Sequence, residues 1–209
     1  WDLRMARPAP QKQARLAMNQ WLALTLVSLA SAVFQLLMIK IAECLLGPFR
    51  ETFALVLCVV LLGIAVGSAF TEKFQLQFQQ VLIANLIGLG WLVGGFEIVS
   101  RVYAAYHPMA VESYFVSVGF KLLAVVMLMG LPAVSFGATI PALLTSQRDV
   151  ARDSGRLLFI SSMANAAGFV VMITVLHRHF DYGVLIVIVA AFSALSFIVY
   201  SQRRWGRIL

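Results

Sequence analysis

Apolar positions along the chain come in six long runs, covering residues 21–39 (carrying on to 46), 52–70, 81–99, 115–136, 157–176 and 182–200. Each approaches the roughly 20 residues that a helix rising 1.5 Å per residue needs to cross the hydrocarbon of a bilayer. The pattern predicts an all-α integral membrane protein, a bundle of six transmembrane helices filling residues 21–200. Alternation with a period of two is absent, which argues against a membrane β-barrel. Residues 1–20 read as a basic cytoplasmic lead and residues 201–209 as a basic cytoplasmic tail.

Composition narrows the class further. Of the 209 residues, 61% are apolar and 12% charged, against about 45–50% and about 25% in soluble domains. A water-soluble enzyme is excluded, and so is a disordered chain, because disorder requires low hydrophobicity. After the basic lead, Ala30-Ser31-Ala32 has the form of a signal-peptide cleavage site. Apolar sequence resumes at once, however, so a spanning helix is expected there. The first residue is Trp1, from which a fragment or a processed product is expected. Cys44 and Cys58 lack the spacing of a metal site or a disulfide framework and read as apolar fillers.

The net charge of +7 acquires meaning from its distribution. Positive loops stay on the cytoplasmic side of a membrane. With the amino terminus inside, the inside segments hold Arg4, Arg7, Lys12, Arg15, Lys73, Arg148, Arg152, Arg156, Arg203, Arg204 and Arg207, and the outside segments only Arg50, Arg101 and Arg178. Both termini are therefore expected in the cytoplasm. The cations are split among four inside segments with no aromatic platform between them, so nucleic acid is not an expected partner. Attraction to anionic lipid headgroups accounts for them.

Within the spans, small residues and helix breakers stand out. Gly47-Pro48 ends the first span and makes a tight antiparallel hairpin with the second. Gly63-x-x-x-Gly67, Gly90-x-x-x-Gly94 and Ala164-x-x-x-Gly168 form flat stripes in spans two, three and five. Such stripes let helices approach closely, within one bundle or between two chains. The inside loop over 71–80 alternates Phe74, Leu76 and Phe78 with polar residues and is expected along the membrane surface, while Tyr103, Tyr106 and Tyr114 suit an interface belt. The fourth span holds Gly130, Pro132, Gly137 and Pro141, with Thr139 between the last two, and is expected to kink or break. Broken spans either line a wet cavity or are buried in protein.

Ionisable residues inside a membrane are costly, and each needs an account. Gln35, Lys40 and Glu43 lie in the first span, Glu97 and Arg101 in the third, and Lys121 in the fourth. All five charges fall in the outer half of the bilayer. They either snorkel or pair privately, or they form one polar patch if spans one, three and four adjoin. Ser161, Ser162, Asn165 and Asn85 lie at a common depth in the cytoplasmic half, where interhelical hydrogen bonds are expected. His177-Arg178-His179-Phe180-Asp181 lacks an evident third metal ligand, and neither a metal nor another cofactor is expected. No nucleophile triad or Gly-rich phosphate loop is present.

Three segments carry a family resemblance. They are the first hairpin from Phe34-Gln35 through Gly47 to Leu61-Leu62-Gly63-Ile64-Ala65-Val66-Gly67-Ser68, then Phe136-Gly137-Ala138-Thr139-Ile140-Pro141, then Ser154-Gly155-Arg156-Leu157-Leu158-Phe159 with Asn165 and Gly168. In order and spacing they resemble the membrane domain of bacterial membrane-bound spermidine-synthase-like proteins. The resemblance implies a bacterial inner-membrane location and, in that family, a soluble aminopropyltransferase domain after the helices. This sequence holds no Gly-rich acidic motif of that domain. Gln35 also stands where that family often has Glu, which departs from a proton relay. Three functions are therefore expected in turn. The first is a non-catalytic module that anchors or assembles a partner chain or a homo-oligomer. The second is a small transporter for polyamine or another organic cation, and the third is the membrane half of an aminopropyltransferase.

Overall fold

A computed structural model describes residues 18–48, 50–110, 113–144 and 150–205. The lead over 1–17 and the end of the tail over 206–209 lie outside the described residues, as does the segment 145–149 with Arg148. All regular structure among the described residues is helical. The first three spans are α1 (Met18–Leu46), α2 (Arg50–Phe74) and α3 (Phe78–Ala110). The fourth is α4 (Tyr114–Gly137) followed by the short α5 (Thr139–Leu144). The fifth is α6 (Val150–Val171), a π-helical turn over Met172–Leu176, and α7 (His177–His179). The sixth is α8 (Tyr182–Trp205). Six helical stretches are long and apolar enough to cross a membrane.

Helices run past the ends of the apolar runs. The loop expected over 71–80 shrinks to Gln75–Gln77. Gln75 adopts a left-handed φ of 50° that ends α2, and the Leu76 N–H donates to the Thr71 carbonyl at 3.3 Å. The Gln77 N–H donates to the Gln80 side chain at 2.9 Å, which starts α3. Residues 103–110, expected beyond the third span, are also helical, because proline appears only at Pro108. Tyr103 is buried there and stacks on Phe120 at 5.6 Å. The first hairpin is as tight as expected. Gly47 takes φ 95°, a conformation that favours glycine, and its carbonyl accepts the Thr52 hydroxyl at 2.9 Å.

α1 is the most buried span. Its buried residues, among them Ala23, Leu24, Ser28, Ala32, Val33 and Leu37, cover well over half of its circumference. It packs chiefly on α8 and α6, and more lightly on α2 and α4. α3 and α2 pack on α4, and α3 also meets α8. The Ser196 hydroxyl donates to the Ala23 carbonyl at 2.8 Å, so α1 begins and α8 ends at the same face, called here the terminal face. The outer surface is apolar. Phe115 is 85% exposed and Phe159 67%, and many other large apolar side chains face outward, as contact with lipid tails allows.

Candidate functional site

Two features position the site: a close helix crossing and an interrupted span. A Cβ added at Gly63 would sit 2.6 Å from the Ala133 Cβ and 2.8 Å from the Ala133 backbone. One at Gly67 would meet the Val134 carbonyl and stand 2.8 Å from the Ala138 nitrogen. Gly137 returns the contact, pressed against the Ile64 backbone. The stripe on α2 thus seats in a second stripe on α4, Ala133-x-x-x-Gly137. Gly88 meets Pro132 in the same way, 3.0 Å from the Pro132 Cα.

The fourth span steps at Ala138. Pro141 has no N–H to give the Gly137 carbonyl, so the helix is interrupted there and resumes as α5. It is not disrupted further, since the Ala138 N–H reaches Val134 and the Ala142 N–H reaches Ala138, both at 3.0 Å. Pro132 lies inside α4 without ending it. The Trp91 indole N–H donates to the Met127 carbonyl at 2.8 Å, just upstream of Pro132, and joins α3 to α4.

Beside this step lies a cavity of about 110 Å³. Its polar lining is Ser28, Ser31 and Gln35 from α1, Thr139 from α5, and Ser161 and Asn165 from α6. Phe34, Phe136, Val60 and Ile64 supply apolar walls, and none of the described residues that line it is ionisable. The Ser28 and Ser161 hydroxyls share a hydrogen bond of 2.9 Å. The Gln35 amide donates to the Ser31 hydroxyl at a long 3.4 Å. The Asn165 amide oxygen is buried without a hydrogen-bond partner. α6 packs on α1 and, near the terminal face, on α5, but barely touches α2 or α4. The unclosed flank of the cavity therefore runs along α6.

Of the residues singled out in the sequence, Gln35, Gly137, Thr139, Ser161 and Asn165 meet at this cavity. The charged ones do not. Lys40 pairs with Glu43 at 2.9 Å within α1, and Arg101 pairs with Glu97 within α3. Lys121 on α4 reaches Glu51 on α2 at 3.4 Å, and the Tyr114 hydroxyl reaches the same carboxylate at 3.2 Å. Private pairs replace a common patch because α1 meets α8 and α6 rather than α3. Among the packing residues, Ala164 is buried and Gly168 lies against α1, where its Cβ would be 2.8 Å from the Ala32 Cβ. Gly90 and Gly94 face no atom within 4 Å.

Ser28, Ser31, Glu51, Ala133 and the depth of Asn85's burial were missed by sequence reasoning. Ser28, Ser31 and Gln35 recur at three- and four-residue steps on one helix face, a signal that was there to find. Asn85 on α3 is fully buried with neither amide atom bonded, and so is the Ser193 hydroxyl on α8. Phe78 meets Tyr200 edge-on at 4.8 Å, which sets the antiparallel register of the two helices. Seven residues on from each, Asn85 and Ser193 come level. His177 stacks on Tyr182 at 6.5 Å, and among the described residues no three His, Cys, Asp or Glu side chains are grouped to hold a metal. No family model, curated protein or solved structure matches the chain.

Proposed function

We propose that the chain is a multi-pass module of the bacterial inner membrane that holds another chain against α3 and performs no chemistry of its own. The observation that carries this reading is the face of α3 with Gly90 and Gly94. Three of the four small-residue stripes are used inside the bundle, while this one looks outward with open space at both Cβ positions. The same stripe continues at helical spacing to Ile83 and Ile87 on one side and to Glu97 and Arg101 on the other. The side chains of that pair are 71% and 78% exposed. In lipid, close backbone approach and interhelical polar contacts drive helix association. The simplest occupant is a second copy, because one stripe can be self-complementary across a twofold axis.

On this reading both ends face the cytoplasm, which the uneven distribution of Lys and Arg among the loops supports. The likeness to spermidine-synthase-like proteins then concerns their anchoring part. Single-molecule counting in nanodiscs tests the association. Two copies per disc are expected, falling to one when Gly90→Leu and Gly94→Leu are combined. Single copies of the unaltered chain, with no partner retained in mild detergent, would overturn the proposal.

A second reading, a carrier or receptor for a small molecule, is favoured by the cavity beside the interrupted span. The polyamine version would call on Glu43 and Glu97. Each is paired with a cation, and neither lines the cavity.

A further inference from the structure

We propose that the cavity between α1, α2, α4, α5 and α6 binds the uncharged, hydrogen-bonding head of a membrane-dissolved amphiphile, of the alcohol or amide class, which enters sideways along α6. The argument is separate from the association through α3 and shares none of its residues.

Four observations support the proposal. First, among the described residues the lining is polar yet carries no ionisable side chain, so these residues offer nothing to balance a charged ligand. Second, it holds hydrogen-bonding capacity that the protein does not use. The Asn165 amide oxygen is buried and unbonded, and the Gln35 amide makes only a long contact with Ser31. Buried polar groups are almost always satisfied, so an amide oxygen left open in the wall of a cavity marks a place for a donor from outside the chain. A hydroxyl or primary amide supplies that donor and can in turn accept from Ser28, Ser161 or Thr139.

Third, Gly137, whose carbonyl loses its helical donor to Pro141, lines the same cavity. Irregular backbone at membrane depth persists where it is buried in protein or lines a polar cavity. Fourth, size and access agree. About 110 Å³ is somewhat less than the roughly 150 Å³ void known to take a benzene ring, so a head of a few heavy atoms fits and a phospholipid headgroup does not. The flank along α6 is edged by Ile64, which is 42% exposed, and by apolar positions that suit a tail.

The test uses the full chain in nanodiscs and a hexadecanol bearing a diazirine beside its hydroxyl. Labelling is expected on peptides holding Val60–Ile64 and Ser161–Asn165. Excess unlabelled hexadecanol should reduce it at least tenfold, and equal palmitate or hexadecyltrimethylammonium less than twofold. Hexanol and glycerol form a further arm. Competition by hexanol at the same aqueous concentration would show that the site takes the alcohol head from water and needs no tail, which would overturn sideways entry. Asn165→Leu, which keeps volume and removes the amide, and Ile64→Trp, which fills the rim, are each expected to lower labelling about tenfold. Thermal unfolding of both variants checks that the bundle is intact. Should Asn165→Leu fail to fold, Ile64→Trp decides alone. Labelling spread evenly over lipid-facing peptides, or unaffected by Ile64→Trp, or equally displaced by the charged amphiphiles, would overturn the proposal.

Discussion

Gly63-x-x-x-Gly67 on α2 and Gly90-x-x-x-Gly94 on α3 are spelled alike and surrounded differently. The first is pressed into backbone atoms of α4, with Cβ positions that would stand under 3 Å from Ala133 and Ala138. The second meets nothing within 4 Å. A glycine stripe therefore states that a backbone can be approached, not what approaches it. The approach needs a second small-residue surface, which α4 provides with Ala133 and Gly137 and which none of the described residues provides for Gly90 and Gly94.

Mutations can break this contrast or sharpen it. Gly67→Leu should have the largest effect, because its side chain would displace the α4 backbone itself. A loss of about 3 kcal/mol or more is expected, at the upper end for overpacking, read as a fall in unfolding temperature in detergent and as aggregation. Asn85→Leu alters the buried face of α3 and should act in the opposite direction. Removing an amide that is fully buried and unbonded should stabilise the bundle by about 1–2 kcal/mol, unless the site holds an ordered water. A lower unfolding temperature would show that it does. Ser28→Ala removes the hydroxyl contact that joins α1 to α6 and should cost about 0.6 kcal/mol, the mean found for such bonds in membrane proteins. Gly90→Leu with Gly94→Leu should leave the stability of the single copy within about 0.5 kcal/mol. A marked loss in the isolated monomer would erase the distinction between the two stripes.

The spans were legible because a bilayer imposes a length and a polarity that few other sequences satisfy. Their ends were less so. Nothing between Arg101 and His107 forbids a helix, so α3 runs on although the apolar run has stopped. Neighbourhood was the least legible. In a soluble bundle the apolar stripe of a helix points to the core, but here lipid and core are both apolar, and the short polar row Ser28, Ser31 and Gln35 does not say which helices α1 meets. The separation of Lys40–Glu43 from Glu97–Arg101 follows from that blindness. So does the invisibility of Ala133 and Gly137 as a docking stripe, since they sat inside what read only as a helix-breaking motif. Glu51 escaped notice because it lies one residue inside α2, beyond any apolar run, while its partner Lys121 lies 70 positions away. Asn165 could be singled out, but its unbonded oxygen could not, because satisfaction is a property of neighbours.

The central place of α1 bears on how the protein is made. It precedes the other five spans in the sequence, yet the residues that enclose it, such as Ser161 and Ser196, are 133 and 173 positions later than their contacts Ser28 and Ala23. Until those later spans are made it must wait among lipid tails with α2 as its first companion. A high share of apolar side chains makes that wait tolerable, and Thr25, whose hydroxyl folds back 2.9 Å onto the Trp21 carbonyl, needs no neighbour to stay satisfied. The enclosure of α1 is thus completed only once α8 has been made. A nascent chain arrested before α8 would be inserted but hollow, an orphan for the cell's membrane proteases.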